Sequence, residues 1–284
     1  MKYCMNLLLW NSEVTSAELQ VAEQLKEMGY DGVELPIFAA GPSGHFEALG
    51  QQLDNMGLGR TAVTVLGADA NPISPEAAVR AQGVETMRAV LDNCAQAGVE
   101  ALVGPFHSAL GEFSGHPPTT DEWKWGVESV RKMAEYASQV GVRLAVEPLN
   151  RFETYLLNTQ ADAARFVREV DQPGCGVLYD TFHAHIEEKS IAAAIASCAD
   201  VIGHVHISAN DRGTPGAGGI DWRENFDALH QQGYHGWLAV EAFGRRLPEL
   251  AAATKIWRKM YDTEMQLARD ALDFMRTEVA QRWG

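Results

Sequence analysis

The stretch AEQLKEMGYDGVEL, residues 22–35, reads as a helix, a glycine stop and a buried strand in immediate succession. Met28-Gly29 ends the helix as a glycine just past the last turn does, because glycine enters the left-handed conformation without a side-chain clash. Gly32–Leu35 then runs apolar enough to be buried on both faces. Ala97-Gly98 repeats the device before the fourth strand. On either side of this stretch and within it, β-rich runs fall at Tyr3–Leu9, Gly32–Leu35, Thr61–Val65, Ala101–Val103, Arg143–Val146, Gly176–Leu178, Ile202–His206 and Trp237–Val240. Helical starts lie between them. Thr15…Glu18 and Thr119…Glu122 fit capping boxes, and Ser74-Pro75-Glu76 puts proline at a first helical position.

Eight β-then-α units with near-continuous apolar strands predict a parallel sheet covered by helices. Eight such units close into a barrel. The expectation is an α/β protein, a single (β/α)8 TIM barrel over residues 1–284 with a long C-terminal helical segment near residues 249–278. That segment holds Trp257 and Tyr261, which suit either a closing helix or a subunit interface. A doubly wound open sheet is the rival, weakened because no glycine-rich fingerprint follows the first strand.

Composition agrees with a large globular core, at 284 residues and 46% hydrophobic. The net charge of −15 opposes phosphate backbones and anionic lipid, so neither nucleic acid nor membrane is an expected partner. Cys4, Cys94, Cys175 and Cys198 are scattered without a CxxC pair, as in a reducing compartment, and the cytoplasm is the expected location.

In such a barrel the C-terminal strand ends share one pocket. The last four strands end in Glu147 (RLAVEP), Asp180 (GVLYDTF), His206 (IGHVHIS) and Glu241 (WLAVEAF). Asp180 alone could cap a helix, and His206 alone could be a hydrogen-bonded core histidine. Buried carboxylates are costly without partners, and three at one point repel unless a cation neutralises them. Three carboxylates and an imidazole suit one hard to borderline divalent ion, Mn²⁺ ahead of Co²⁺ or Mg²⁺. Glu153, His183, His185 and Arg212 follow these strand ends, and Arg212 leads into the loop GTPGAGG before a helix capped at Asp221. The loop lacks the lysine and strand-to-helix context of a phosphate-binding loop. His204 is read as structural, pointing away from His206 across the strand.

These motifs carry a likeness. VEPLNRFETYLLNT, LYDTFHAHIEE, GHVHISANDRGTPGAG and LAVEAF resemble, in order and spacing, the metal-dependent ketose 3-epimerases of the tagatose/psicose group. That group belongs to the xylose-isomerase-like sugar isomerases and epimerases. The likeness is strongest over residues 140–260 and extends to GYDGVEL and PEAAVRAQG. It implies metal ligation by Glu147, Asp180, His206 and Glu241, with Glu147 and Glu241 doubling as the acid/base pair. It also implies that Glu153, His183 and Arg212 hold the O1–O3 end of the sugar, with Asn6, Phe106 and His107 completing the pocket. Where relatives acting on ketohexoses often show an aromatic-rich segment, GPFHSALGEF keeps Phe106 and His107 but continues with small residues, so the expected substrate is either a ketopentose (ribulose/xylulose) or a ketohexose (tagatose/sorbose, fructose/psicose). A homodimer or homotetramer is the expected assembly.

Inverting C3 requires one group to take the proton from one face of the enediolate and another to return it from the other. Strands five and eight are far enough apart to bracket such a plane. The same ligands could serve an aldose–ketose or hydroxypyruvate-type isomerase, which moves a proton between C1 and C2. A three-zinc DNA-repair barrel would need more ligands and a basic face, and a degenerate sugar sensor would be expected to lose one of the two glutamates.

Overall fold

The computed structural model describes residues 1–39, 41–42 and 44–284. Its strands are β1 (Lys2–Asn6), β2 (Gly32–Pro36), β3 (Gly59–Val63), β4 (Ala101–Gly104), β5 (Arg143–Val146), β6 (Cys175–Asp180), β7 (Ile202–Ile207) and β8 (Trp237–Val240). They pair in parallel in chain order, and β8 returns to β1 to close the barrel. The outer helices are α1 (Ser16–Met28), α2 (His45–Met56), α3 (Ala77–Ala97), α4 (Thr120–Gln139), α5 (Gln160–Val170), α6 (Thr181–Glu187), α7 (Ile191–Cys198), α8 (Trp222–Gln231), α9 (Pro248–Ala253) and α10 (Glu264–Trp283).

Local chemistry sets the boundaries. Both predicted capping boxes form, each worth about 1 kcal/mol at its helix start. Gly29 and Gly98 take left-handed conformations, with φ of 102° and 68°, and stop α1 and α3. The first strand is shorter than predicted. Asn6 Oδ1 accepts the Leu8 N–H at 2.9 Å and turns Leu7–Leu9 into a 3-10 helix. Pro75 does not occupy a first helical position, because α3 starts at Ala77 behind Glu76. The C-terminal segment is two helices, α9 and α10, with a non-helical stretch over residues 254–263.

Apolar filling concentrates the polar groups at one end of the barrel. Val63, Val103, Ala145 and Leu178 pack together between strands, and Trp237 plugs the N-terminal side beside Cys4 and Ala239. A Cβ at Gly32 or at Gly59 would come within 2.7 Å of the Trp237 ring, so both positions need glycine for close approach. Tyr30 donates its hydroxyl to the Ala268 carbonyl at 2.7 Å and fastens the α1–β2 turn to α10. Among the described residues, no helix is long and apolar enough to cross a membrane.

Candidate metal centre

The four predicted strand-end residues meet. Glu147 follows β5, Asp180 ends β6, His206 is the penultimate residue of β7, and Glu241 follows β8. One ligand atom from each lies within 4.8 Å of all the others. His206 Nδ1 is central, 3.6 Å from Glu241 Oε1, 3.7 Å from Asp180 Oδ2 and 4.0 Å from Glu147 Oε1. His206 Nδ1 and Glu147 Oε1 are both buried and lack a hydrogen-bond partner. An orphaned buried acceptor costs free energy, and these two face one point, so the residues fit a shared divalent cation.

Electrostatics set the protonation of the cluster. Burial, then the neighbouring Glu241 charge, pushes Glu147 well above the usual carboxyl range. Burial pushes Glu241 up to about 7, although His206 and Arg212 oppose it. Burial would raise Asp180 too, but the Arg212 guanidinium, His206 and His183 together outweigh it and hold that carboxyl low. Burial disfavours charge on His206, yet Glu34 and Glu241 together raise its pKa well above the ordinary value. Glu147, Glu241 and His206 therefore take up protons readily, and a divalent ion would compete with them for the same atoms.

Arg212 reaches across the centre. Its Nη1 donates to Glu241 Oε2 at 2.7 Å and to Asp180 Oδ2 at 3.2 Å. The guanidinium lies 3.8 Å from the Phe182 ring centroid and 5.0 Å from that of Phe243. Its backbone is left-handed, φ 61°, a conformation uncommon outside glycine and often found at functional sites.

His183 shows a matching need. Its Nδ1 accepts the Asn150 backbone N–H at 3.0 Å, so the ring proton sits on Nε2. Burial lowers its pKa to about 4, which keeps the ring neutral. Nε2 lies 3.0 Å from Arg212 Nη2 and 3.6 Å from Glu147 Oε1. Two donors thus converge and want an oxygen between them.

The other predicted contacts are placed differently. Glu153 Oε1 accepts from Asn150 Nδ2 at 2.7 Å in the turn after β5. Phe106 is wholly buried in the main core. His107 is buried as well; its Nδ1 lies 3.1 Å from Ser108 Oγ, and burial lowers its pKa to about 3. Asn6 is buried with both ends of its amide engaged, by the Leu8 N–H and by Glu34 Oε1. Asp180 also caps α6 through the Phe182 N–H, so its capping role and its place in the cluster coexist. Asp221 caps α8 as expected.

Two features escaped the sequence reading. His204 does not point away from His206: residues two apart on a strand share a face, and the rings stand 5.3 Å apart. Both rings meet Glu34, a fully buried acid in β2. The signal was present in GYDGVEL, where one acid interrupts an otherwise apolar strand.

Comparison with known proteins agrees with this geometry. The model of the xylose isomerase-like TIM barrel family matches residues 22–278. A probable ketose 3-epimerase from Synechocystis sp. is 31% identical over 97% of this chain and 96% of its own length. An L-ribulose 3-epimerase from Mesorhizobium japonicum is 32% identical over 94% of this chain and 90% of its own. The crystal structure of D-psicose 3-epimerase with D-tagatose from Clostridium cellulolyticum H10 superimposes with a TM-score of 0.90 at 30% identity, covering 98% of this chain and 99% of that one. The chain belongs to the xylose isomerase-like TIM barrel family and stands within it beside the ketose 3-epimerases.

Proposed function

We propose that the protein inverts C3 of a free ketose, using Glu147 and Glu241 as paired acid and base around one divalent cation. The observation that carries this reading is the placement of those glutamates just past the C-terminal ends of β5 and β8, 4.0 and 3.6 Å from His206 Nδ1. Glu147, Asp180, His206 and Glu241 would hold the ion, Mn²⁺ ahead of Co²⁺ or Mg²⁺ for this oxygen-rich set. When bound, the ion supplies Lewis-acid stabilisation of the negative charge that grows on the substrate oxygens.

The protein's own groups do the rest. His183 Nε2–H and Arg212 Nη2 converge as donors and orient a sugar oxygen between them. Arg212 also steadies Glu241 and Asp180, and its aromatic stack limits the freedom of the guanidinium. With the sugar held, one glutamate takes the C3 proton and the other returns a proton to the opposite face. In the reverse direction the roles exchange. An uncharged substrate is compatible with the protein's net charge of −15, and the named relatives act on ketoses of this kind.

The reading is tested with free and phosphorylated ketopentoses and ketohexoses, assayed with Mn²⁺ before and after chelation. Epimerisation of a free ketose that disappears on chelation and returns with Mn²⁺ is expected. Turnover that survives chelation, or that is confined to phosphorylated sugars, would contradict it.

A further inference from the structure

Glu34 stands outside the proposed chemistry yet is one of the most completely partnered side chains in the barrel. It is wholly buried in β2. Its Oε1 accepts from Asn6 Nδ2 of β1 at 3.0 Å and lies 2.8 Å from His206 Nε2 of β7. Its Oε2 accepts from Thr61 Oγ1 of β3 at 2.8 Å. His204 Nε2 lies 3.0 Å from the same oxygen, close but out of line for a good hydrogen bond. Three hydrogen-bonding groups, one from each of three strands, therefore grip one buried carboxylate, with His204 packed beside it.

A carboxylate that already receives other donors can only accept from an imidazole, so His206 must carry its proton on Nε2. That leaves Nδ1 as the nitrogen facing Glu147, Asp180 and Glu241, where it has no hydrogen-bond partner. We infer that Glu34 is a positioning residue for the metal centre: it fixes the His206 tautomer and ring plane, with Asn6 and Thr61 holding Glu34 in turn. The inference rests on the metal-binding reading above. It gives Asn6 a place as a support for Glu34 rather than as a sugar contact. Outer carboxylates of this kind typically change metal affinity by about 10–100-fold when removed.

Glu34 and the two histidines could alternatively ligate a second ion between them. The hydrogen bonds from Asn6 and Thr61 argue against that, because they occupy lone pairs an ion would need.

The test uses metal-free full-length protein titrated with Mn²⁺ by calorimetry, comparing wild type with Glu34→Gln and Glu34→Leu. Wild type should bind one ion per chain. The Leu variant, which has no acceptor, should bind about 100-fold more weakly, and the Gln variant, which keeps one oxygen for His206, about tenfold more weakly. Leu-variant affinity within threefold of wild type, or two ions per chain in wild type, would overturn the inference. Should the Leu variant not fold, nitrogen NMR of labelled histidines in Zn²⁺-loaded wild type decides the matter. A proton on His206 Nε2 is expected; a proton on Nδ1 would overturn it. Absence of any ion binding in wild type would instead remove the metal reading on which this rests.

Discussion

Metal binding should stabilise the fold, and more strongly as pH rises. In the metal-free protein, burial raises Glu241 from 4.5 to about 7. Between those values the folded protein keeps a proton that the unfolded chain releases, so folding stability falls as pH rises through that window. At about 1.4 kcal/mol per pH unit, the window is worth on the order of 3 kcal/mol. His206 acts in the same sense: its pKa is raised in the fold, so the stability it contributes is lost as pH climbs through the folded value. With Mn²⁺ bound, Glu241 should be ionised throughout and that loss should disappear. Mn²⁺ at 100 times its dissociation constant adds about 2.7 kcal/mol by mass action. At roughly 2–4 °C per kcal/mol, melting should rise by about 5–10 °C near neutral pH. Thermal unfolding followed by circular dichroism from pH 5 to 8, with Mn²⁺ and with EDTA, measures the difference. The difference should widen as pH increases. A difference that is flat or shrinks would refute the assignment of Glu241 as a buried, proton-competing ligand.

Glu147→Gln and Glu241→Gln should each lower epimerisation by at least ~100-fold. Each should retain C3 proton exchange on only one of the two epimers, the opposite one in each variant, as read by NMR in deuterated water. Arg212→Lys keeps the charge but loses the planar fork and the stacking between Phe182 and Phe243, so kcat/KM should fall about tenfold or more in steady-state assays. Gly104→Ala places a Cβ against the Thr64 carbonyl at a φ of 132°. It should cost about 2 kcal/mol or more, visible as a lower midpoint in urea.

The barrel was legible because its signals are local. Gly29 stops a helix, Thr15 and Glu18 cap one, and Val33 and Leu35 mark a buried strand, all within a few residues of chain. The cluster was legible because strand ends are places the fold assigns in advance: bringing Glu147, Asp180, His206 and Glu241 together needed only the topology. Glu34 was not, although it sits in the same stretch as Gly29. Its meaning depends on His204 and His206, which lie 170 and 172 positions away and reach it only when β7 and β2 face each other across the barrel. The Arg212–His183 pairing has the same character, since the left-handed backbone that turns Arg212 inward has no glycine to announce it.

The central claim is that a proton leaves and returns at C3. Incubating the Mn²⁺-loaded protein with a free ketose in deuterated water and locating the label by proton NMR tests it most directly. Deuterium at C3 of the inverted product, with C1 unlabelled, is the predicted result. Deuterium confined to C1, with an aldose as product, would contradict the account and identify an aldose–ketose isomerase.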